Sequence, residues 1–197
     1  MLRSYGFLGN WPCRQVAMRK ALTFLGILND SDIDWLVTTG SKREAAPGHV
    51  LVTEGVPIDS VFLVIDGRFS VTVSALGGRE VAQLMSGEVI GEMSFVDSHP
   101  PSASVKALER SAVLAVPRAR LSAKLNDDTA FASRFYRALA VFLADRLRST
   151  VATLGYSSNE TLDQDKLYKD EIDPETLDTI SLAGARFEWI QKKLRSV

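Results

Sequence analysis

The feature that most constrains the fold is a run of short apolar segments between residues 48 and 117, most of them ended by a turn that contains glycine or proline. Apolar and polar residues tend to alternate in these segments, and a period of two is typical of a β-strand rather than a helix. The pattern predicts strands at residues 49–53, 61–65, 69–74, 80–84, 103–108 and 112–116. Many short strands at such spacing are typical of a small antiparallel barrel or a jelly-roll sandwich.

The turns between these strands carry glycine. They are Glu54-Gly55, Asp66-Gly67, Gly77-Gly78 and Ser86-Gly87. Asp-Gly and Gly-Gly between two strands predict tight hairpins, because both central positions of the favoured turn need a positive φ. We therefore expect one hairpin at Asp66-Gly67 and another at Gly77-Gly78.

Helical periodicity flanks the β region on both sides. Before it, the apolar pattern predicts one helix after Met18, and Ser31 is placed to cap a second short helix. After it, an apolar stripe predicts a long helix over residues 131–154, and Pro174 fits the first turn of a last helix. The predicted fold class is mainly β with flanking helices (α+β): an antiparallel β-roll or jelly-roll sandwich with short N-terminal helices and a long helix after it.

The same patterns predict how the chain is organised. Residues 1–17 lack a clear period and are expected to form an N-terminal tail, and Met18 is an alternative start. Residues 18–154 are expected to form one domain. Residues 155–173 are polar and acidic, which is typical of a linker, and residues 174–197 form a C-terminal helix.

Composition excludes several broad classes of protein. The 197 residues contain 23 Lys and Arg against 24 Asp and Glu, for a formal net charge of -1. A general nucleic-acid or anionic-membrane binder carries a basic surplus, so neither is expected. No apolar run is long enough to span a membrane, and no secretory signal is recognisable. The single cysteine, Cys13, excludes an internal disulfide and fits a reducing cytoplasm, which is the expected location.

The residues that carry catalysis or bind metals are sparse. His49 and His99 are the only histidines, and neither lies in a carboxylate or cysteine cluster at ligand spacing. No nucleophile, base and orienting group combine into a specific set. We therefore expect a protein that is not an enzyme and has no metal site.

The most specific segment for function is GEVIGEMSFVDSHPPSASV, residues 87–105. A strand ends in Gly91-Glu92, a turn of apolar helix comes next, and a Pro-Pro step leads into small residues and another strand. This arrangement can direct several backbone N–H groups at one anion. A carboxylate at its entrance suits a ligand that also offers hydroxyls, as a ribose does. No Arg or Lys lies between Glu92 and Val105, so this segment has no cation of its own for a phosphate.

Three segments together resemble one family. They are GHVLVTEG at residues 48–55, VFLVIDG at 61–67, and GEMSF through Pro100 to Val105. In this order they are similar to the first strand and turn, the hairpin strand and the phosphate-binding cassette of cyclic nucleotide-binding domains. That module occurs in bacterial catabolite-activator regulators and in kinase regulatory subunits. The resemblance covers about Leu22 to Leu154, some two-thirds of the chain.

The resemblance implies a set of ligand-binding residues. The cassette glutamate accepts from the ribose 2′-hydroxyl, and Glu92 occupies that place after Gly91. The backbone amides from Met93 onward would face the cyclic phosphate, and Thr150 lies near the place where a threonine meets the purine. Three further residues could offer neutral donors to the phosphate: Ser102, Ala103 and Ser104.

The family also places an arginine after the cassette proline, and here that position is Pro101. Proline supplies neither charge nor N–H. A charge-assisted hydrogen bond contributes roughly 1.5–3 kcal/mol, so its loss weakens a cyclic nucleotide by about tenfold to a hundredfold or more. We therefore expect weak or absent binding of cyclic AMP or cyclic GMP.

Three interpretations of the cassette remain open. It binds a conventional cyclic nucleotide weakly. It binds another nucleotide or anion, whose phosphate is held by Arg79, Arg68 or His99. Or it is an empty β-roll that serves protein contact.

The long helix also has two interpretations. Four residues at three- and four-residue steps approach a coiled-coil seam, which predicts a homodimer through Leu143, Leu147, Val151 and Leu154. The alternative is a monomer whose stripe packs on its own barrel or under the C-terminal helix.

The segment after the long helix bears on the output of the protein. A winged helix-turn-helix needs about 70 residues with three helices, and residues 155–197 offer one helix, so direct DNA binding is disfavoured. Its basic residues 186, 192, 193 and 195 predict a solvated face. Four apolar residues could anchor the helix on the domain or on a partner: Phe187, Trp189, Ile190 and Leu194. We expect a stand-alone sensor that signals to a partner protein, with a ligand-independent interaction domain as the alternative.

Overall fold

A computed structural model describes residues 24–155 and 174–195, and within them leaves out the side chains of residues 149, 150, 152–155 and 174–181. Residues 24–27 are helical. The strands are β1 Ser41–Ala45, β2 Val50–Val52, β3 Ser60–Asp66, β4 Arg68–Val73, β5 Arg79–Met85, β6 Val89–Ile90, β7 Ser104–Ala107 and β8 Ser111–Pro117. The helices are α1 Asp30–Thr39, α2 Glu92–Asp97, α3 Arg118–Asp127, α4 Thr129–Gly155 and α5 Pro174–Arg195. The predicted tail, the alternative start at Met18 and nearly all of the predicted linker lie outside the described residues.

The strands form two antiparallel sheets of four. Sheet A has the order β1-β8-β3-β6, and sheet B has the order β2-β7-β4-β5. Within the pairs β8 and β3, and β7 and β4, the registers run through most of both strands. The predicted antiparallel β-roll with flanking helices is confirmed.

Sheet A is the middle of three layers. In β3 every residue except Asp66 is buried. One face of the sheet packs on sheet B through residues such as Phe62 and Val64, and the other packs on the helices through residues such as Leu63 and Ile65. A strand covered on both faces has no polar side, which explains why residues 61–65 read as a continuous apolar run.

One of the two predicted hairpins forms and the other does not. Strands β4 and β5 pair through Gly77 and Gly78, whose φ angles are 68° and 74°, as predicted. The hairpin at Asp66-Gly67 is wrong, because β3 lies in sheet A and β4 in sheet B. That turn carries the chain between sheets, and a Cβ on Gly67 would stand 2.1 Å from Ser111 Oγ. Glycine was therefore a correct signal for positive φ but not for strand pairing.

The sequence pattern missed strand β1. Its residues, SKREA, are mostly charged, and only Ala45 is buried. The strand pairs with β8 at the edge of sheet A. Charged side chains on an edge strand oppose pairing with other chains. They also remove the apolar alternation by which a strand is recognised in a sequence.

Helix α1 begins two residues earlier than predicted. Its cap is Asn29 rather than Ser31, because Asn29 Oδ1 accepts the Asp32 N–H at 2.8 Å while the Asp32 carboxylate accepts the Asn29 N–H at 2.9 Å. These two bonds form a capping box. Asp32 also binds Arg134 of α4 with two bonds of 2.6 and 2.8 Å, so the same carboxylate joins α1 to the long helix.

The two C-terminal helices both pack on the domain. The buried face of α4 covers sheet A with residues Phe131, Phe135, Ala138, Leu139 and Phe142. Helix α5 folds back onto the same cluster through Ala183, Ile190 and Leu194, which was one of the two outcomes expected for it. Trp189, predicted as an anchor, is 40% exposed. The predicted solvated basic face is wrong for Arg186, whose side chain is only 11% exposed.

Candidate functional site

The cassette, residues 91–105, crosses from sheet A to sheet B. Strand β6 ends at the edge of sheet A, Gly91 turns the chain with a φ of 85°, and α2 begins at Glu92. A Cβ on Gly91 would stand 2.4 Å from Ile58 Cδ1, the mobile end of a side chain that can shift, so it is the positive φ that favours glycine at this position. The chain then enters sheet B as β7.

The centre of the cassette is an ion pair between Glu92 and the long helix. Glu92 is 2% exposed, and Arg146 Nη1 of α4 donates to its Oε1. Arg146 Nη2 donates to the carbonyl of Val89 at 3.1 Å, and its guanidinium lies 4.7 Å from the centroid of the Phe142 ring. One arginine therefore fastens α4 both to β6 and to the entrance of the cassette.

Burial and charge act on Glu92 in opposite directions. Burial disfavours the carboxylate and raises the pKa of Glu92 above its ordinary value, and the Arg146 guanidinium opposes that rise without cancelling it. The ionised carboxylate is therefore held at a cost that Arg146 limits. A hydroxyl donor from a ligand would relieve the same cost by hydrogen bonding to the carboxylate.

Arg146 was not predicted as a site residue, although its spacing along α4 carries a signal. Phe135, Leu139, Phe142 and Arg146 succeed one another at three- or four-residue steps along α4. This spacing puts Arg146 on the buried stripe of the helix, where a cation needs a carboxylate partner. Glu92 is the buried carboxylate that the cassette provides.

The remaining predicted site residues differ in exposure. Met93 is 51% exposed, Ser102 is exposed, and Ala103 and Ser104 are half-buried. Ser104 Oγ accepts the backbone N–H of Glu54 at 3.0 Å. Thr150 lies in α4, but its side chain is outside the described residues.

The second half of the cassette is fastened to the turn after β2. Pro101 is buried, and its carbonyl accepts the N–H of Gly55 at 2.8 Å. Together with the bond from Glu54 to Ser104, this gives the Pro101–Ser104 segment a structural role. The proline that replaces the family arginine is thus part of the packing of the roll.

Arg118 is a second cation at the cassette that sequence reasoning missed. Its Nη2 donates to the carbonyl of Ser94 at 2.6 Å, and its Nη1 donates to that of Ile58 at 3.4 Å. The guanidinium also lies 5.7 Å from the centroid of the Phe95 ring. These contacts hold α2 against the start of α3.

The side chains proposed as alternative anion holders are already paired or exposed. Arg68 donates to both carboxylate oxygens of Glu109, at 3.3 and 3.1 Å. His99 Nδ1 lies 3.4 Å from Asp97 Oδ2 in an exposed turn, and Arg79 is exposed. Among the described residues, no group of three or more His, Cys, Asp or Glu is placed to hold a metal ion. None of the described helices is long and apolar enough to cross a membrane.

Comparison with known proteins gives a family model and several relatives. Residues 42–128 match the model described as a cyclic nucleotide-binding domain. An uncharacterized NTE family protein of Mycobacterium tuberculosis is 29% identical over 66% of this chain and 22% of its own length. The Pycsar effector protein XpPycTIR of Xanthomonas perforans is 32% identical over 56% of this chain and 36% of its own length. The chain thus spans about a fifth and about a third of these relatives.

Solved structures show the same fold. A cyclic nucleotide-binding domain from Methylobacillus flagellatus superposes with a TM-score of 0.64 at 22% identity, covering 79% of this chain and 96% of that one. The catabolite activator protein of Thermus thermophilus superposes with a TM-score of 0.56 at 26% identity, covering 86% of this chain and 84% of that one.

Proposed function

We propose, from the premise that residues 42–128 form a cyclic nucleotide-binding domain, that the protein is a sensor module. It binds a cyclic nucleotide such as cyclic AMP or cyclic GMP weakly and signals through α4 to a partner protein. Cyclic nucleotide-binding domains are typically regulatory, and we assign this chain no catalytic residue. The proposed domain extends beyond the family match, over residues 18–154.

The observation that carries this proposal is the buried pair of Glu92 and Arg146. By its resemblance to the family glutamate, Glu92 is proposed to accept from a ribose 2′-hydroxyl. The same carboxylate holds the long helix. A ligand that donates to Glu92 must share the carboxylate with Arg146 or displace it. Ligand binding would therefore change an anchor of α4 directly, which is the property that a sensor needs.

The proposed binding residues come from the cassette. We assign Gly91, Glu92 and the amide of Met93 to its entrance. The neutral donors are the Ser102 and Ser104 hydroxyls and the Ala103 amide, and Thr150 would meet the base. Weak affinity is expected because Pro101 supplies no cation to the phosphate. The Arg146 guanidinium is already bound to Glu92.

A ligand-independent interaction domain is the second candidate, and the same region favours it. Pro101 is buried and bound to Gly55, and Arg146 already satisfies Glu92 without a ligand. A cassette that is satisfied internally can persist as architecture. In that case α4 would present a constant surface to its partner.

The relatives suggest how the module is used. In the Pycsar effector and the NTE family protein, the matching region is a minor part of a longer chain. We propose that this chain likewise provides the regulatory part of an assembly, either covalently joined to an effector or bound to one. DNA as the direct target remains disfavoured.

Calorimetric titration of the full chain with cyclic AMP and cyclic GMP tests the function. We expect a dissociation constant about tenfold to a hundredfold weaker than a cassette arginine would give, and loss of binding in Glu92→Gln. The matched control is Glu109→Gln, which breaks the exposed pair with Arg68 and leaves binding unchanged. Pro101→Arg is expected to strengthen binding by at least about tenfold.

Absence of heat and of a thermal shift at millimolar ligand, in both the parent chain and Pro101→Arg, would reject the sensor. That result would favour the interaction domain.

A further inference from the structure

A second network of contacts lies where α5 packs on the N-terminal segment. Arg186 of α5 donates through Nη1 to three backbone carbonyls, those of Leu25 at 3.0 Å, Gly26 at 3.2 Å and Leu28 at 2.6 Å. Its Nε donates to Asp30 Oδ1 at 2.7 Å. These carbonyls end the helical residues 24–27, where the backbone dipole favours a cation. Helix α5 therefore completes the N-terminal element.

Helix α1 joins α5 to the long helix through three carboxylates at alternate positions. Asp30 binds Arg186 of α5, Asp32 binds Arg134 of α4, and Asp34 binds Lys193 of α5 at 2.7 Å. Successive carboxylates thus have partners on different helices. A movement of α1 relative to α5 would therefore change the distances within the pairs of Asp30 with Arg186 and of Asp34 with Lys193.

The three pairs differ in strength. Asp32 is 4% exposed and bound by both Nε and Nη2 of Arg134, so this link is rigid. Asp30 and Asp34 are 85% and 59% exposed, and such pairs are weak and screened by salt. Burial of Ala183, Ile190 and Leu194, together with the carbonyl bonds of Arg186, holds α5 in place. The ion pairs between α1 and α5 are therefore weaker than the ion pair between α1 and α4.

Helix α4 connects this network to the cassette. Arg134 and Arg146 lie twelve residues apart on one continuous helix, a distance of about 18 Å. One arginine is bound to Asp32 and the other to Glu92. A shift of α4 at the cassette is therefore carried to α1, and the hydrogen bonds of Arg186 weaken steeply when their geometry changes.

We propose that α5 is the output element of the module: it is docked on α1 while Arg146 holds Glu92, and its docking weakens when a ligand takes Glu92. This inference rests on the proposed function for its ligand, but its contacts can be tested without one. Coupling between two sites is reciprocal, so complete undocking of α5 must raise ligand affinity by the same factor by which ligand weakens α5 docking.

Hydrogen–deuterium exchange on the full chain tests the docking. Arg186→Leu is expected to raise exchange of the amides of residues 183–194 by about tenfold or more. Arg195→Leu, at the exposed end of the same helix, is the matched control and leaves exchange unchanged. If Arg186→Leu also leaves it unchanged, Arg186 does not hold α5 and the proposal is overturned.

The coupling is tested by breaking the cassette pair without ligand. Arg146→Gln, or Glu92→Gln if the first variant fails to fold, is expected to raise exchange in residues 183–194 several-fold while β3 and β8 stay protected. Arg68→Gln breaks an exposed pair in the roll and serves as the control. No change in α5, or an equal rise in β3 and β8, would overturn the proposal.

Measurements with ligand distinguish failure of the proposed function from failure of the coupling between the cassette and α5. If calorimetry finds no cyclic nucleotide binding, the proposed function fails, and the Arg146→Gln result still decides the coupling. If ligand binds, Arg186→Leu is expected to raise its affinity, by at most the factor by which ligand raises α5 exchange. A ligand that binds without altering α5 exchange would reject this inference and leave the sensor standing.

Discussion

The two residues of the cassette ion pair have unequal surroundings. The side chain of Glu92 is 3% exposed, whereas that of Arg146 is 29% exposed. If the glutamate loses its charge, the arginine can still be hydrated. If the arginine is lost, the carboxylate is left buried without a cation, which is the costly case.

This inequality predicts different outcomes for the two substitutions. Arg146→Leu should lower the free energy of unfolding by about 3 kcal/mol at neutral pH, because it leaves a buried charge unpaired. Glu92→Gln keeps the shape and removes that charge, so it should cost less than about 1 kcal/mol. Urea unfolding of both variants measures the difference, and equal losses would contradict the assigned burial.

The pH dependence of Arg146→Leu is set by the raised pKa of Glu92. Removing the arginine leaves burial unopposed and raises that pKa further. A raised carboxyl pKa gives stability that is present below the ordinary glutamate value and lost as pH rises through the folded value. The deficit of the variant should therefore grow as pH rises above the ordinary glutamate pKa. A deficit that shrinks as pH rises would show that Glu92 is not the group involved.

The sequence was sufficient to locate the cassette but not Arg146, the residue that pairs with its glutamate. Gly91 and Glu92 were recognisable because they are adjacent to each other and to a strand. Arg146 lies 54 positions away from Glu92, and only the packing of α4 on sheet A brings it there. Arg186 was misjudged for the same reason, because four cations in one helix resemble a solvated face until the helix is seen to dock.

Among the elements, the turns differ in what surrounds them. Gly67 and Gly77 both have positive φ, of 90° and 68°. A Cβ on Gly67 would meet Ser111, including its Cα at 2.7 Å, whereas a Cβ on Gly77 would meet nothing within 4 Å. One turn is a crowded corner between sheets and the other is an open hairpin.

Alanine at these two positions should separate strain from crowding. Gly77→Ala should cost about 1–2 kcal/mol for the left-handed conformation alone. Gly67→Ala adds a backbone clash with β8 and should cost at least about 2 kcal/mol more. Thermal or urea unfolding measures both, and similar losses would show that the corner relaxes freely.

The sequence was sufficient to predict which segments are strands, but not which sheet each strand joins. The apolar runs at residues 61–65 and 112–116 predicted strands, but alternation alone does not distinguish a strand covered on one face from one covered on both. Strand β1 was not predicted because it lies at the edge of sheet A and its residues are mostly charged, so it shows no apolar alternation. Element existence thus depends on local period, while position in the roll depends on contacts between segments far apart in the chain.

Within the part of the chain that the structure describes, one face of α4 is uncovered. Leu147 is 65% exposed and Val151 is 59% exposed, while Leu143, predicted in the same seam, is half-buried against the core. Ala140 and Ala144 precede Leu147 at four- and three-residue steps, which is the spacing of a heptad seam. We propose that a second copy of the chain covers this face.

Light scattering after gel filtration tests the dimer. We expect twice the monomer mass for the parent chain at about 100 µM and the monomer mass for Leu147→Glu, because two buried glutamates would face each other. Arg148→Glu, one position off the seam, should remain dimeric. A parent chain that is monomeric at this concentration would contradict the proposal.

The bond from Arg186 to the carbonyl of Leu28 joins residues 158 positions apart. On a ribosome, the N-terminal helical segment therefore emerges long before the arginine that terminates it. Such a distant closure adds to the contact order of the chain and slows its completion. Until α5 is synthesised, the apolar surface that Ala183, Ile190 and Leu194 cover and the carbonyls that Arg186 binds lack these partners. Transiently exposed apolar surface of this kind promotes aggregation. Because this contact depends on the last helix of the described chain, the surface that α5 covers stays exposed for most of synthesis.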